Sequence, residues 1–80
     1  MGKYAIRVKV KGASNHRLVG DRKLTRLWIH AITFKDVHRA KDHARWLLDN
    51  NKEQLVSAQV VTFGEGKVLH TTEQKAAATP

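Results

Sequence analysis

The 80-residue chain contains no cysteine, one proline and one methionine, and it has no long apolar run. Without cysteine, neither a disulfide framework nor a thiolate metal site can form. No stretch approaches the roughly 20 apolar residues of a membrane span, and the first dozen residues lack the apolar core of a signal peptide. These absences favour a soluble, cytoplasmic protein, and nothing in the sequence calls for a cofactor.

Acidic residues are scarce in the first 35 positions, which hold nine Lys or Arg residues and a single acid, Asp21. From residue 36 onward, six basic and six acidic side chains cancel, so the first part carries the whole net charge of +8. A strong positive field on one part of a small protein attracts polyanions and steers their association. The charge distribution therefore indicates an anionic partner.

Catalytic and metal-binding motifs are also missing from the chain. The sequence has no HExxH, GxSxG or GxxxxGK[ST]. His38 and His43 are separated by about 140° around a helix and cannot bind one ion together. His38 and Asp42 are spaced as an exposed i,i+4 contact, with no nucleophile beside them. We expect neither an enzyme nor a metal site.

The length and the 41% hydrophobic content are typical of one small globular domain. We expect this domain to span residues 1–73, followed by a disordered tail over residues 74–80. The stretch from Lys3 to Lys11 alternates apolar and polar residues, which predicts a half-buried strand. Its predicted core residues are Tyr4, Ile6, Val8 and Val10.

A long basic loop is predicted over residues 13–23, with a short extended piece at 17–19. The next stretch, 24–32, also alternates and predicts a second strand whose core face carries Leu27 and Ile29. A hairpin with the first strand would then place the other face, with Trp28 and His30, beside Arg7 and Lys9.

The clearest predicted element is a helix over residues 34–50, begun by Thr33 as N-cap in a capping box with Asp36. Its apolar stripe comprises Val37, Ala40, Ala44, Leu47 and Leu48. Strands over 55–63 and 67–72 follow, joined by a glycine hairpin at 64–67. The expected fold is α+β: a two-layer sandwich in ββαββ order, with an antiparallel sheet of three to four strands and one helix on one face.

The two tryptophans carry the most information about function. Trp28 is expected among basic residues on the open sheet face, where aromatic rings stack on bases and cations neutralise phosphates; covering a loop or a dimer interface is the alternative. Trp46 lies about 180° from Val37 around the helix, opposite the apolar stripe. It is expected either to anchor a protein partner or to fold onto the 13–23 loop.

Our first hypothesis is a small non-enzymatic protein that binds DNA or RNA mainly through electrostatic contacts. The expected nucleic-acid-binding residues are Arg7, Lys9, Lys11, Arg17, Arg22, Lys23, Arg26, Trp28 and His30. The alternative is an interaction module or inhibitor, such as a phage-type regulator, that docks on a larger protein with an acidic patch. Its expected partner-binding residues are Lys35, Arg39, His43 and Trp46. A homodimer through an exposed sheet edge is a further expectation.

Known nucleic-acid-binding signatures do not narrow this choice. The RNP motif of RRM domains and the GxxG loop of KH domains are missing, and a single predicted helix leaves no helix-turn-helix. The sequence therefore predicts a class of function without a family.

Overall fold

The computed structural model describes residues 3–21 and 23–74, which form one antiparallel sheet with a single α-helix packed across one face. The predicted α+β class is confirmed. The strands are β1 (Tyr4–Val10), β2 (His16–Val19), β3 (Leu24–Thr25), β4 (Leu55–Thr62) and β5 (Val68–Glu73), and the helix is α1 (Val37–Asn50). The sheet has five strands rather than three to four, in the spatial order β3-β2-β1-β4-β5. Three strands precede the helix instead of two, so the predicted ββαββ order is wrong.

The central strand, β1, supplies the middle of the core as its alternation predicts. Ile6 lies opposite Val60 and Val8 lies opposite Ala58 in the β1–β4 ladder. All four side chains are fully buried in the cluster beneath the helix. The polar residues between them on β1 consequently point to the other side of the sheet, which we call the outer face.

Helix α1 begins three residues later than its predicted start. Asp36, not Thr33, is the N-cap: its Oδ1 accepts a hydrogen bond from the backbone N–H of His38 at 2.8 Å. Thr33 lies outside the helix because Phe34 pairs with Tyr4 through two backbone hydrogen bonds of 2.8 Å, which keeps this stretch extended. The predicted capping box is therefore wrong, although its acidic residue is the cap.

The predicted apolar stripe of the helix is confirmed. Ala40, Ala44 and Leu48 are buried against the sheet, and Val37 and Leu47 pack at the margin of the same cluster. The small alanines allow the helix backbone to approach the sheet closely, and Leu48 supplies most of the buried volume.

The C-terminal end of α1 is tied to the last strand. The side-chain amide of Gln74 donates to the backbone carbonyls of Leu48 and Leu55 at 2.9 and 3.1 Å. Gln74 therefore satisfies two backbone carbonyls that would otherwise need another hydrogen-bond donor. Gln74, the first residue of the predicted tail, is therefore held in the fold, and residues 75–80 lie outside the described residues.

The predicted second strand over residues 24–32 is wrong. Only Leu24–Thr25 is extended against β2, and the chain then forms a 3-10 helix at Trp28–His30. The Thr25 hydroxyl accepts the Leu27 N–H at 3.1 Å and starts this local turn. Leu27 and Ile29 are 57% and 81% exposed, so the expected core face does not exist.

Part of the predicted 13–23 loop belongs to the sheet. Its short extended piece is β2, which pairs with β1 and buries Leu18 and Val19. The chain returns to the edge of β2 that faces away from β1 at residues 31–32, where the Ile32 N–H donates to the Val19 carbonyl at 3.0 Å. This edge of the sheet is therefore covered by two short pieces of chain.

The hairpin between β4 and β5 is as predicted, and its glycines explain it. Gly64 and Gly66 have φ angles of 87° and 74°, a region that side-chain-bearing residues avoid.

Among residues 3–21 and 23–74, no helix combines the length and apolar character needed to cross a bilayer.

Candidate nucleic-acid interface

The sheet register brings basic residues from two strands together on the outer face. Arg7 lies opposite Leu18 of β2 and Gln59 of β4. Lys9 lies opposite His16. Because directly opposed side chains share one face of a sheet, Arg7, Lys9 and His16 form a cluster on the side away from α1. The expected placement of Arg7 and Lys9 on an open basic face is consistent with this geometry.

An aromatic pair accompanies this cluster and shields part of the outer face. Ala5 and Val61 point away from the helix but are fully buried. The Trp28 ring meets the Phe63 ring edge-on, with centroids 5.4 Å apart and planes at 72°, and the Lys3 amine lies 6.0 Å from the Phe63 centroid. Trp28 is thus beside the basic residues as expected, but it is held by the 3-10 helix and not by a strand.

Arg7 is held in a fixed orientation by its cross-strand neighbour. Its Nε and Nη2 atoms donate to Oε1 of Gln59 at 3.2 and 3.1 Å. A neutral amide acceptor orients the guanidinium without cancelling its charge. Arg7 therefore presents a positive charge at a defined position on the outer face.

The electrostatics of the cluster are reflected in His16. Partial burial lowers the pKa of this imidazole, and the neighbouring positive charges of Arg7 and Lys9 lower it further. A second cation is disfavoured where positive charge is already concentrated. The contribution of Arg7 and Lys9 to this lowered pKa is the effect expected of a locally positive surface.

A shallow depression crosses this surface, and we call it the basic groove. Arg17 lies opposite Val8 in the β1–β2 ladder, so its side chain starts on the helix side of β2, and its guanidinium donates to the His16 carbonyl at 3.3 Å. Within the part of the chain described, the residues lining the groove include three arginines and no acidic residue. Its lining residues are Arg7, Asn15, His16, Arg17, Leu18, Arg26 and Trp28.

The remaining predicted nucleic-acid-binding residues lie elsewhere. Lys23 lines a cleft beside α1, on the other side of the sheet. His30 lines a second depression together with Lys23 and Arg26, and Arg26 also lines the basic groove. Lys11 is exposed in the turn after β1. Arg22 lies outside the described residues. Of the predicted residues that the structure describes, Arg7, Arg17, Arg26 and Trp28 line the basic groove, and Lys9 lies beside His16 at its margin.

Sequence reasoning missed Gln59 and Gly66 as parts of this site. Gln59 is a polar residue in a largely apolar strand, a pattern that in a sheet marks an outward-facing position. The sequence around Gly66 indicates a turn and no binding role. Both approach Arg7 through contacts between residues more than 50 positions apart, which no local pattern reports.

Three of the four predicted partner-binding residues lie on a second surface, the Trp46 patch, which is lined by Phe34, Arg39, Asp42, His43 and Trp46. Trp46 is 55% exposed and stacks on His43, with centroids 5.6 Å apart and planes at 17°. The Phe34 ring centroid lies 5.3 Å from that of His43. Burial lowers the pKa of the His43 imidazole. Lys35 is exposed but does not line this patch.

Across residues 3–21 and 23–74, no three side chains of the metal-ligating types come together in a possible ion site. The chain matches no protein-family model, no curated protein and no solved structure.

Proposed function

We propose that this protein is a small non-enzymatic nucleic-acid-binding protein of the cytoplasm that binds through the basic groove and the adjoining Lys9. The observation that carries the proposal is the convergence of Arg7, Lys9 and His16 on one sheet face, next to the partly exposed Trp28. Cations that neutralise phosphates, placed beside a planar ring, are the two components that sequence-tolerant nucleic-acid binding needs.

The proposed binding is mainly electrostatic. The groove is shallow, and the described residues offer no protruding helix or ribbon on this face to enter a major groove. Phosphate contacts supply affinity without sequence information. The affinity is then expected to fall steeply with salt, because each neutralised phosphate releases counterions.

A double substitution of Lys9→Gln and Arg26→Gln tests the proposal. Arg7 is kept because its guanidinium bonds to Gln59. If each removed cation contacts one phosphate, the slope of log affinity against log salt should shrink by about two units. Fluorescence anisotropy with a labelled oligonucleotide over a salt series gives this slope.

The matched control is the double variant Arg45→Gln and Lys52→Gln, which lowers the net charge equally but changes exposed residues of α1 and the turn after it. It should leave the salt slope nearly unchanged. Equal effects of the two variants would assign the binding to net charge alone. Undetectable binding of wild type to DNA and RNA at low salt would refute the proposed function.

A second candidate function is docking on a larger protein that has an acidic patch, through the Trp46 patch. The observation that favours it is the 55% exposure of Trp46 on a helix face carrying Arg39. Large aromatic and arginine side chains are the usual anchors of protein interfaces. The stacking on His43 holds the ring in place, which lowers the entropy lost on binding.

Trp46→Ala separates the two functions. Because the ring is mostly outside the core, the melting temperature should change little. Nucleic-acid affinity should be unaffected, whereas binding to a protein partner would lose about 2 kcal/mol or more. A loss of nucleic-acid binding by this folded variant would contradict the assignment of the two surfaces.

A further inference from the structure

The Trp28 ring and the Arg7 guanidinium both lie next to Gly66. A Cβ atom at position 66 would lie 3.6 Å from Trp28 Cζ2 and 3.7 Å from Arg7 Nη1. An aromatic ring and a charged guanidinium group therefore border the same small space above one glycine. We call this space the Gly66 slot.

Both walls of the slot are held in place before any ligand arrives. Gln59 accepts two hydrogen bonds from Arg7, through Nε and Nη2. The remaining terminal nitrogen, Nη1, is the one that faces Gly66. On the other side, the edge-on contact with Phe63 fixes the Trp28 ring. Preorganised walls reduce the entropy lost when a ligand binds.

The hairpin places two glycines in similar backbone conformations but in different surroundings. Gly64 and Gly66 both have positive φ, so the turn alone accounts for both glycines. A Cβ at Gly64 would meet nothing within 4 Å, whereas a Cβ at Gly66 would project between Trp28 and Arg7. The missing side chain at Gly66 thus keeps the slot open.

We propose that the Gly66 slot receives an unpaired base of a single-stranded nucleic acid, with Trp28 as its stacking surface and Arg7 beside its phosphate. The proposal rests on the proposed function and names its substrate class. A base inside a duplex is already stacked and paired, whereas an unpaired base offers its planar face to an aromatic side chain. The basic groove then accommodates the neighbouring phosphates.

Gly66→Ala tests the proposal, with Gly64→Ala as its control. Both substitutions strain a left-handed backbone position in the same turn, so their effects on folding should be similar. The added methyl at position 66 meets its neighbours at ordinary contact distance and can be accommodated by the fold. It should weaken binding of a single strand of about ten nucleotides by roughly tenfold, the range of one lost base–aromatic stack.

The same titrations are carried out with a duplex of equal length. The single strand should bind more tightly than the duplex to wild type, and Gly66→Ala should reduce that preference. Gly64→Ala should retain it. Circular dichroism melts of both variants check that they remain folded under the binding conditions, and Gln59→Leu, which frees the Arg7 side chain, provides a second variant that should weaken single-strand binding.

Trp28 fluorescence gives a direct readout in a Trp46→Phe background, where it is the only tryptophan. A base stacked on the ring should quench its emission on addition of the single strand and much less on addition of the duplex.

The outcomes distinguish this inference from the proposed function. Salt-dependent binding of nucleic acid, with equal affinities of Gly66→Ala and Gly64→Ala, would overturn the slot and leave the proposed function standing. Tighter binding of the duplex, or unchanged Trp28 emission in the saturated single-strand complex, would also overturn it. Undetectable binding of either nucleic acid by wild type would refute both.

Discussion

Leu48 and Leu27 show that hydrophobicity does not by itself decide which leucine enters the core. Leu48 is 2% exposed because α1 turns it onto the sheet, next to the alanines of the same stripe. Leu27 is 57% exposed because the chain leaves β3 at Thr25 and coils into the 3-10 helix. The two residues are chemically identical, so the difference lies entirely in their surroundings.

Leu48→Ala should therefore be far more destabilising than Leu27→Ala. Removing three buried carbons and leaving a cavity should lower the free energy of unfolding by about 2–5 kcal/mol, a large fraction of the stability of so small a domain. Leu27→Ala should cost within about 0.5 kcal/mol. Urea denaturation of both variants measures the difference, and similar midpoints would contradict the core described above.

At the scale of the element, the start of α1 depends on one carboxylate. Asp36 accepts the His38 N–H, and a negative charge at this end also complements the helix dipole. Thr33, which has the same capping chemistry, is held outside the helix by the Tyr4–Phe34 bridge. Position relative to the sheet, not side-chain type, selects the cap.

Asp36→Ala should lower the free energy of unfolding by about 1 kcal/mol, with losses of up to ~2 kcal/mol known for strong caps. Thr33→Ala should leave it nearly unchanged. Thermal melts at neutral pH compare the two variants. A larger loss for Thr33→Ala would restore the capping box that the sequence predicts.

For the whole molecule, the important quantity is how the charge is distributed in space. The first 35 residues carry the net +8, but the fold places their cations on different surfaces: Arg7 and Arg26 line the basic groove, whereas Lys23 lines a cleft on the helix side of the sheet. His16 lies where the positive charge is concentrated, and its pKa is lowered by partial burial and then by Arg7 and Lys9. A bound phosphate should offset those two charges and raise this pKa again.

Nucleic-acid binding should consequently be coupled to proton uptake at His16. The free protein disfavours the imidazolium, so the stability contribution of neutral His16 is present above its unfolded pKa of about 6.5 and is lost as the pH falls through the lowered folded value. The complex favours the imidazolium. Affinity should therefore rise as the pH falls through the interval between the free and bound pKa values, by up to about tenfold for each unit separating them.

Dissociation constants measured for wild type and His16→Gln between about pH 7.5 and 5.5 check this coupling. The other four histidines, which both proteins retain, contribute an equal background. The variant should show the smaller gain at low pH. Identical pH profiles of the two proteins would show that protonation of His16 is not coupled to phosphate binding.

Local sequence patterns were sufficient to predict the elements whose surroundings in the fold are the usual ones for their pattern. The alternation in β1, the stripe of α1 and the glycine hairpin each predict their own environment, and all three are present. The stretch over residues 24–32 alternates equally well but forms only two residues of strand. This stretch is held by hydrogen bonds from the Leu27 N–H to the Thr25 hydroxyl and from the Ile32 N–H to the Val19 carbonyl, which local periodicity does not report.

The sequence by itself determined the α+β class, the stripe of the helix, the positive charge and the candidate residues of an anionic-partner surface. Only the tertiary structure decided which of those residues meet. Arg7, Gln59 and Gly66 come together because antiparallel pairing joins β1 to β4 and to the hairpin that follows it, and the 3-10 helix brings Trp28 to the same place. Charge and periodicity are summed along the chain, whereas a binding site depends on distances between residues far apart in it.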